Sequence, residues 1–506
     1  MSDLLLSGLS ALSDPDLLLL IVITTLAGTV IGVLPGLSGT TGAALALPFT
    51  LTMDPISAVV VLATIYGSST FAGCITAILI NTPGTSASAT TCLDGYPLAR
   101  NGEAGRAIGV ATLSSCFGGV ISVIFLLFAA PLLAGIAYQF GPPEYFALAV
   151  FGLSMLATIG GGSAAKNLIA GCFGVLLSTV GVHMMTGVER YTFGSGALYD
   201  GIGFVPVMIG LFGIAEFLRQ STELGLKRNV IGMRATRLPS WADLRRIRNT
   251  VLRSTGIGTF VGVLPAEGAT IASMISYNEA RRHSSNKQNF GKGEIEGVAA
   301  SEAANNSAVG GSLVPTLALG IPGSPTAAII LAGLLAQGVQ PGPTLFNEQG
   351  NLLSALFAAL LVANFLFILV GLGGARFYAR ITQVPVPILW PLVFMFSIIG
   401  AYAIRQSVFD IYVTLAFGLI GFLMQRYGFS VVSLAIGLVL GVMVEQRLGQ
   451  SVAMFNGDWW LMFTRPIALA FFILTFLSLA GPLLAAWRHR LKRSSRHHRH
   501  EREASS

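Results

Sequence analysis

Two short phrases rich in glycine and proline each occur twice along this chain. Residues 28–36 read GTVIGVLPG and residues 258–266 read GTFVGVLPA, which places the two prolines 230 positions apart. Residues 81–86 read NTPGTS, and residues 320–325 read GIPGSP. Paired apolar segments that are interrupted by glycine and proline are typical of substrate sites in transporters with internal repeats. The pairing therefore predicts one binding site to which both halves of the chain contribute.

The residues around each proline can bind an anion without a buried Lys or Arg. Proline breaks a helix, and glycine lets a ligand approach the backbone closely. A helix that restarts there directs its free N–H groups and the positive end of its dipole at the site, and Ser and Thr add hydroxyl donors. The alternative interpretation is a kinked helix or an interfacial turn whose hydroxyls only satisfy the backbone. The predicted substrate-binding residues are Gly36, Ser38, Gly39, Thr40, Thr41, Pro83, Gly84, Thr85, Ser86, Pro322, Gly323, Ser324 and Thr326.

A second set of residues is predicted to hold a coupling ion or to orient the substrate. Asn305 and Asn306 open an apolar run, and their amides offer carbonyl oxygens to a cation and N–H groups to a carboxylate. Glu267 lies two positions after Pro265, in a part of the chain that is expected to be within the membrane. Acidic residues in the membrane are costly and are functional candidates by default. The alternatives are a helix cap at the asparagine pair and a Glu267 that reaches an aqueous vestibule. The full set is Asn81, Glu267, Gly268, Thr270, Asn305 and Asn306.

Some single residues are weaker candidates. His183 is predicted to be structural rather than a proton relay. Lys166 and Arg405 either balance the substrate's charge or extend toward the membrane surface. The four cysteines form no CxxC pattern and are expected to be small packing residues, not a disulfide or a metal site.

Composition predicts the element that must position these residues, which is the transmembrane helix. The chain of 506 residues is 53% hydrophobic and only 10% charged, with a mean hydropathy of +0.73. Only helices and closed barrels satisfy the backbone in lipid, and the alternating strands of a barrel are absent from the sequence. The predicted fold class is an all-α polytopic membrane protein with about 11 to 13 transmembrane segments, some of them broken or re-entrant. The expected spans are 17–35, 56–80, 107–135, 144–160, 164–185, 198–218, 251–276, 304–335, 351–375, 386–404, 408–425, 429–446 and 462–487.

The basic residues indicate how the chain is oriented. Sixteen of the 30 Lys and Arg lie in two stretches beside apolar segments, nine in residues 219–253 and seven in residues 488–502. The net charge of +7 is therefore not a nucleic-acid signal, and the positive-inside rule places both stretches in the cytoplasm. The first 99 residues contain no Lys or Arg, which predicts that no signal peptide is present and that the N-terminus faces the periplasm.

These orientations predict two inverted-topology repeats. The first copy of the longer phrase follows an external N-terminus, whereas the second follows a cytoplasmic loop, so the copies run antiparallel across the bilayer. The expected division is a first transmembrane half at 1–218, a basic cytoplasmic linker at 219–250, a second transmembrane half at 251–487 and a disordered basic cytoplasmic tail at 488–506.

Motifs for enzymatic chemistry are missing from the sequence. There is no Walker A motif, no HExxH, and no GxSxG that is accompanied by a histidine. We therefore expect no enzymatic activity, no catalytic residue, no resident metal and no cofactor.

The motifs together resemble the large membrane subunit of the tripartite tricarboxylate transporters, the TctA-like family. The resemblance implies a secondary transporter of the bacterial inner membrane that imports tricarboxylate or dicarboxylate anions, such as citrate, by symport with Na⁺ or H⁺. It also implies two partners, a small membrane subunit and a periplasmic solute-binding protein. The matching stretches keep the family's order across nearly the whole chain; they are 32–37, 94–100, 102–107, 140–146, 261–265, 290–293, 297–300, 302–306, 322–323 and 341–343.

The chain departs from the family pattern in ways that leave the identity of the carboxylate open. Residues 265–268 read PAEG where Pro-Gly-x-Gly is usual, and Ser38 and Ser68 stand where the family has glycine. A passive organic-anion channel with the same architecture is the first alternative function. A membrane scaffold or enzyme is the second.

Overall fold

Most of the part of the chain that the structure describes is helical. The computed structural model describes residues 7–8, 10, 12–34, 37–158, 163–222, 238–264, 268–374, 377, 380–381 and 386–480, with the backbone alone for 386–389. In chain order the α-helices are α1 Pro15–Val33, α2 Gly39–Thr50, α3 Pro55–Ile80, α4 Ala89–Leu98, α5 Ala104–Ala137, α6 Pro142–Met155, α7 Ala164–Ser178, α8 Phe204–Ile209, α9 Ala215–Thr222, α10 Trp241–Val263, α11 Gly268–His283, α12 Ile295–Leu319, α13 Pro325–Ala336, α14 Pro343–Glu348, α15 Gly350–Ile368, α16 Val386–Arg405, α17 Val408–Arg426, α18 Val431–Met454 and α19 Pro466–Ala480.

Many of these helices are long and apolar enough to cross a membrane. Seven such spans occur in the described residues: Pro15–Val33, Pro55–Ile80, Ala89–Ala137, Phe204–Thr222, Gly350–Gly373, Val408–Arg426 and Val431–Met454. Four shorter apolar helices accompany them, at Ala164–Ser178, Pro325–Ala336, Trp390–Arg405 and Pro466–Ala480. The predicted fold class, an all-α polytopic membrane protein, is confirmed. The number of crossings and the inverted relation of the two halves stay predictions.

Local sequence signals determine where the central helices begin and end. Asp54 caps α3, its Oδ1 accepting a hydrogen bond from the Ser57 N–H at 3.1 Å. Pro55 follows at the first helical position, where the missing N–H costs nothing. α3 ends at Asn81 with φ 53° and α12 ends at Gly320 with φ 70°. Both residue types tolerate this left-handed conformation, which ends a helix.

The described chain clusters into two compact units. The larger unit comprises Met1–Gln139 and Ile202–Arg426, and it contains every residue predicted to bind the substrate or the ion. The smaller unit comprises Phe140–Gly201 and Tyr427–Ser506. This is a different division from that into two sequence halves joined by the linker at 219–250, which stays a prediction.

Helices α3 and α12 form the interior of the larger unit. Every residue of α12 is buried, and α3 is buried from Ala58 to Ile80. These two helices carry hydroxyl, amide and acidic side chains as well as apolar ones. Because burying a polar group is costly without a partner or a function, these two helices are the candidate location of a functional site.

In each half of the chain, the first glycine of the longer phrase packs against one of the two interior helices, α3 or α12. A Cβ atom on Gly28 of α1 would overlap Ser68 Oγ of α3, and a Cβ atom on Gly258 of α10 would overlap Ser307 Oγ of α12. Ser68 and Ser307 are 239 positions apart, close to the 230 positions between the two copies of the phrase. The longer phrase therefore specifies the same close helix–helix contact twice.

The span expected at 164–185 is too long at its C-terminal end. Its helix ends at Ser178, and a hairpin follows in which Gly181–Val182 pairs antiparallel with Glu189–Arg190. Gly181 has φ 114° and Gly187 has φ 68°, positive values that cannot continue a helix and that glycine adopts readily.

Two other expected spans are broken into separate helices. The span at 304–335 consists of α12, which begins earlier at Ile295, and α13, with Gly320 between them. The span at 251–276 covers parts of α10 and α11, and residues 265–267 between these helices lie outside the described residues.

Candidate functional site

The hydroxyl-rich beginnings of α2 and α13 meet in the interior of the larger unit. Ser38 caps α2, its Oγ accepting a hydrogen bond from the Thr41 N–H at 3.2 Å, and Ser324 caps α13 in the same way. Thr40 and Thr326 are the second residues of these helices, and their buried hydroxyl oxygens lie 2.9 Å apart. The fold thus joins the first predicted motif to the second-half motif, 286 positions away in sequence.

Tyr66 connects this contact to the two interior helices. Its hydroxyl lies 2.9 Å from Ser324 Oγ and 3.0 Å from Ser312 Oγ, and its side chain is buried. A phenol between two hydroxyls can donate to one and accept from the other. Tyr66 of α3 and Ser312 of α12 therefore belong to the site, although the sequence analysis did not identify them as site residues.

Gly84 and Gly323 lie at close helix contacts. A Cβ atom on Gly84 would lie 2.6 Å from both the Gly32 carbonyl oxygen and the Gly73 Cα. A Cβ atom on Gly323 would lie 2.7 Å from the Ser312 Cα. Packing alone accounts for both glycines, and their direct role in binding a ligand stays a prediction.

The two copies of the shorter phrase differ in environment. The first copy carries Asn81, Pro83 and Ser86 on the surface of the chain, whereas the second copy is mostly buried. Thr85 is half-buried, with its Oγ1 2.8 Å from Ser88 Oγ. Within the described residues, no hydrogen bond joins the first copy to Thr40 or Thr326. The buried members of the second copy include the predicted site residues Pro322, Gly323 and Ser324, and Thr326, which follows this copy, is buried too.

The predicted asparagine pair lies on α12 beside a buried acid. Glu302 is fully buried and accepts hydrogen bonds from the hydroxyls of Thr91 and Ser115. Asn306 Nδ2 donates to Ser115 Oγ at 2.8 Å and lies 3.5 Å from Glu302 Oε2. Asn305 Nδ2 instead reaches a carbonyl oxygen of α3 at 3.4 Å. The pair lies in the middle of the helix and is not its cap, so that alternative is wrong.

The remaining predicted residues lie where the longer phrase ends. Gly39 begins α2, and a Cβ atom there would overlap Ser69 Oγ. Gly268 begins α11 and is buried against α10, and Thr270 follows in the first turn of α11, half-buried. Gly36 and Glu267 lie outside the described residues, and their roles stay predictions.

The weaker single candidates each have a protein partner. Arg405 makes a two-point ion pair with the fully buried Asp410, with N···O distances of 3.0 and 2.7 Å. Lys166 donates to a backbone carbonyl at 2.6 Å. His183 belongs to the hairpin region, where its Nε2 lies 3.3 Å from Glu445 Oε1. These contacts give all three residues a structural explanation.

Two signals in the sequence point to the residues that were missed. Glu302 is an acid inside a mostly apolar helix, and such residues are functional candidates by default in a membrane protein. Ser312 precedes Gly323 by eleven positions, as Gly73 precedes Gly84, so the repeat itself marks it as a contact of the shorter phrase. Tyr66 carries no comparable signal.

Comparison with known protein families shows to which family this chain belongs. The model of the "Tripartite tricarboxylate transporter TctA family" matches residues 18–436, which include every predicted site residue. The chain belongs to this family. It is therefore a membrane component of a tripartite transporter, as the resemblance of its motifs implied.

Two proteins of Agrobacterium vitis are similar to this TctA-family chain. The "Uncharacterized 52.8 kDa protein in TAR-I ttuC' 3'region" is 40% identical over 448 residues, which is 88% of this chain and 88% of the relative. The "Uncharacterized protein in TAR-II ttuC' 3'region" is 35% identical over 211 residues, which is 42% of this chain and 87% of the relative. No solved structure matches the chain.

Proposed function

We propose that this TctA-family chain is the large subunit of a secondary active transporter that imports di- or tricarboxylate anions by ion-coupled symport. It receives the substrate from a periplasmic binding protein and works with a small membrane subunit in the bacterial inner membrane. Its N-terminus lies in the periplasm and its C-terminus in the cytoplasm, as the distribution of basic residues indicates.

The observation that supports this proposal most directly is the 2.9 Å contact between Thr40 and Thr326. It brings together the beginnings of two helices, where free N–H groups and the helix dipoles favour an anion. Hydroxyls add hydrogen bonds whose direction can adapt to a carboxylate. An anion held in this way avoids the cost of a buried Lys or Arg.

Ion coupling suits an anion that enters a low-dielectric site. Attraction between unlike charges grows as the dielectric constant falls, so a bound cation lowers the cost of burying the carboxylates. A passive organic-anion channel is the alternative, because the same helix ends can line a pore. Such a channel needs neither an ion gradient nor a binding protein.

The test is uptake of labelled di- and tricarboxylates into proteoliposomes that contain this chain and its small subunit, with the binding protein added outside. Thr40→Val and Thr326→Val remove one hydroxyl each with little change in shape. We expect each to raise the apparent KM about tenfold, the loss of one hydrogen bond to a charged group. Thr52→Val is the control, because the Thr52 hydroxyl is exposed and, among the described residues, its hydrogen bond goes to the Phe49 carbonyl oxygen, at 2.9 Å.

Three outcomes would contradict the proposal. If both variants transport like the wild type, the Thr40–Thr326 contact is not the substrate site. If an imposed ion gradient does not accelerate uptake and flux persists without the binding protein, the chain is a channel. If none of the carboxylates is taken up, the substrate class is wrong.

A further inference from the structure

A carboxyl group without a positively charged partner lies inside the larger unit. Glu302 of α12 is 0% exposed. Within the described residues, no Lys, Arg or His forms an ion pair with it. Its hydrogen-bond donors are neutral: the Thr91 hydroxyl of α4, the Ser115 hydroxyl of α5 at 3.2 Å and, at 3.5 Å, the amide of Asn306. Burying an ionised carboxylate away from a positive charge is costly, so this group favours uptake of a cation.

The amide beside this carboxyl has an unused acceptor. Asn306 Nδ2 donates to Ser115 Oγ at 2.8 Å, while Asn306 Oδ1 is buried and has no hydrogen-bond partner within the described residues. Asn305 Oδ1, on the next residue, is buried and unpartnered in the same part of the chain. An unsatisfied buried acceptor is destabilising. A proton on Glu302 would turn the carboxyl into a donor beside the Asn306 side chain, whose carbonyl oxygen lacks a donor within the described residues.

The other titratable groups near Glu302 do not supply a positive charge. Cys74 of α3 and Cys92 of α4 interact electrostatically with it. Further along α12, a Cβ atom on Gly297 would meet Asp94 and Tyr277, an acid and a phenol. On the side of α11, Ser273 Oγ donates to the Ser301 carbonyl at 3.1 Å. The described surroundings of Glu302 are therefore hydroxyls, amides, thiols and one further acid.

We propose that Glu302 carries the coupling proton of the symport cycle. This inference rests on the proposed function and deepens it. It selects H⁺ rather than Na⁺ as the coupling ion and assigns the proton to one residue. On the outer side the ionised carboxylate accepts a proton from the aqueous phase and becomes a neutral carboxyl beside the Asn306 side chain. On the inner side the O–H bond breaks, the proton returns to water, and the carboxylate is restored.

The contacts of Glu302 favour a proton over a metal ion. Each carboxyl oxygen already accepts a hydrogen bond, Oε1 from the Thr91 hydroxyl and Oε2 from the Ser115 hydroxyl. A proton adds almost no volume and requires a single acceptor. A metal ion would require these hydroxyls to turn away so that their oxygens face the ion.

The first measurement does not depend on transport. Infrared difference spectra of the purified full-length protein, recorded as the pH is changed, report the C=O band of any protonated carboxyl. We expect a band that is lost in Glu302→Gln and kept in Glu348→Gln, the control at an exposed residue. Glu302→Asp keeps a titratable carboxyl, so its band should persist at a shifted frequency, which covers the case in which Glu302→Gln does not fold.

The second measurement is uptake driven by an imposed gradient. We expect a proton gradient to accelerate wild-type uptake at least tenfold, and Glu302→Gln to lose this acceleration while it still exchanges substrate between equal pools. A band unchanged in Glu302→Gln, or uptake in that variant that still follows the proton gradient, would overturn the inference. So would wild-type uptake that follows a Na⁺ gradient and ignores pH. Failure to take up any carboxylate would contradict the proposed function, whereas the infrared result would still decide whether Glu302 binds a proton.

Discussion

The Tyr277 hydroxyl donates a hydrogen bond to Asp94 Oδ2 at 2.8 Å, which links the second half of the chain to the first. Asp94 Oδ1 accepts three more hydrogen bonds from backbone N–H groups, those of Gly291 at 2.8 Å, Gly293 at 2.9 Å and Glu294 at 2.8 Å. These donors immediately precede α12, the helix that carries Glu302 and Asn306. A single carboxylate thus anchors the beginning of the most buried helix to α4.

Removing this carboxylate should destabilise the protein strongly. We expect Asp94→Ala to cost about 3 kcal/mol or more, because several donors lose a charged acceptor at once. Tyr277→Phe should cost about 1.5–3 kcal/mol, the typical net contribution of one hydrogen bond to a charged group. The thermal unfolding midpoint of the detergent-solubilised protein measures both changes. In a double-mutant cycle the two losses should not add, since the variants share one hydrogen bond. Fully additive losses would show that Tyr277 and Asp94 act independently.

The repeated glycine should tolerate no side chain, in contrast to a glycine two positions away. Gly258→Ala adds a methyl group that overlaps Ser307 Oγ and should cost about 1–3 kcal/mol through overpacking. Gly28→Ala should behave similarly because of Ser68. Gly256 has no neighbour within 4 Å of a built Cβ atom, so Gly256→Ala should stabilise α10 by up to about 1 kcal/mol. Thermal unfolding midpoints compare the three variants. Equal effects at positions 256 and 258 would contradict the repeated helix contact.

The two copies of the longer phrase should enter the membrane from opposite sides. Ser10 precedes α1 and Trp241 begins α10, and both side chains are exposed. In a background without the native cysteines, Ser10→Cys should react with a membrane-impermeant thiol reagent added to spheroplasts. Trp241→Cys should react only after the membrane is permeabilised. Labelling of both variants from the same side would rule out inverted repeats.

The ion pair at the beginning of α10 should make stability depend on pH. The Arg106 guanidinium, whose Nε lies 3.1 Å from Asp243 Oδ2, lowers the pKa of Asp243 to about 2 from an ordinary 3.8. The ionised form is thus favoured by folding, so its stabilisation is present above pH 3.8 and is lost as the pH falls through about 2. Asp243 also completes the capping box with Ser240.

Asp243→Asn should lower the unfolding midpoint at neutral pH and reduce its decline between pH 4 and 2. Asp14→Asn is the matched control, because Asp14 caps α1 at an exposed position by accepting the Asp16 N–H at 2.9 Å. It should change neither value appreciably, since Asn is an equally good cap. A decline that is the same in wild type and Asp243→Asn would show that this ion pair does not couple stability to pH.

Part of the site could be predicted because local chemistry repeats along the chain. Ser38 precedes a glycine and Ser324 precedes a proline, and hydroxyl residues in such positions commonly cap helices. Asn81 and Gly320 end helices because both residue types tolerate a left-handed backbone conformation. Other parts could not be predicted. Tyr66 belongs to the site only because α3 packs against α12 and α13. The residues next to Tyr66 in the sequence do not indicate that contact.

The sequence alone determined that this chain is a helical membrane protein with a repeated, broken-helix motif, because hydropathy and the positions of glycine and proline are local properties. Only the tertiary structure decided which residues meet. The Thr40 hydroxyl lies beside that of Thr326, 286 positions away in sequence. Glu302 is buried among Thr91, Ser115 and Asn306, and no Lys, Arg or His pairs with it in the described part of the chain. Such contacts depend on how helices from distant segments pack against each other, and side-chain periodicity within one helix cannot specify them.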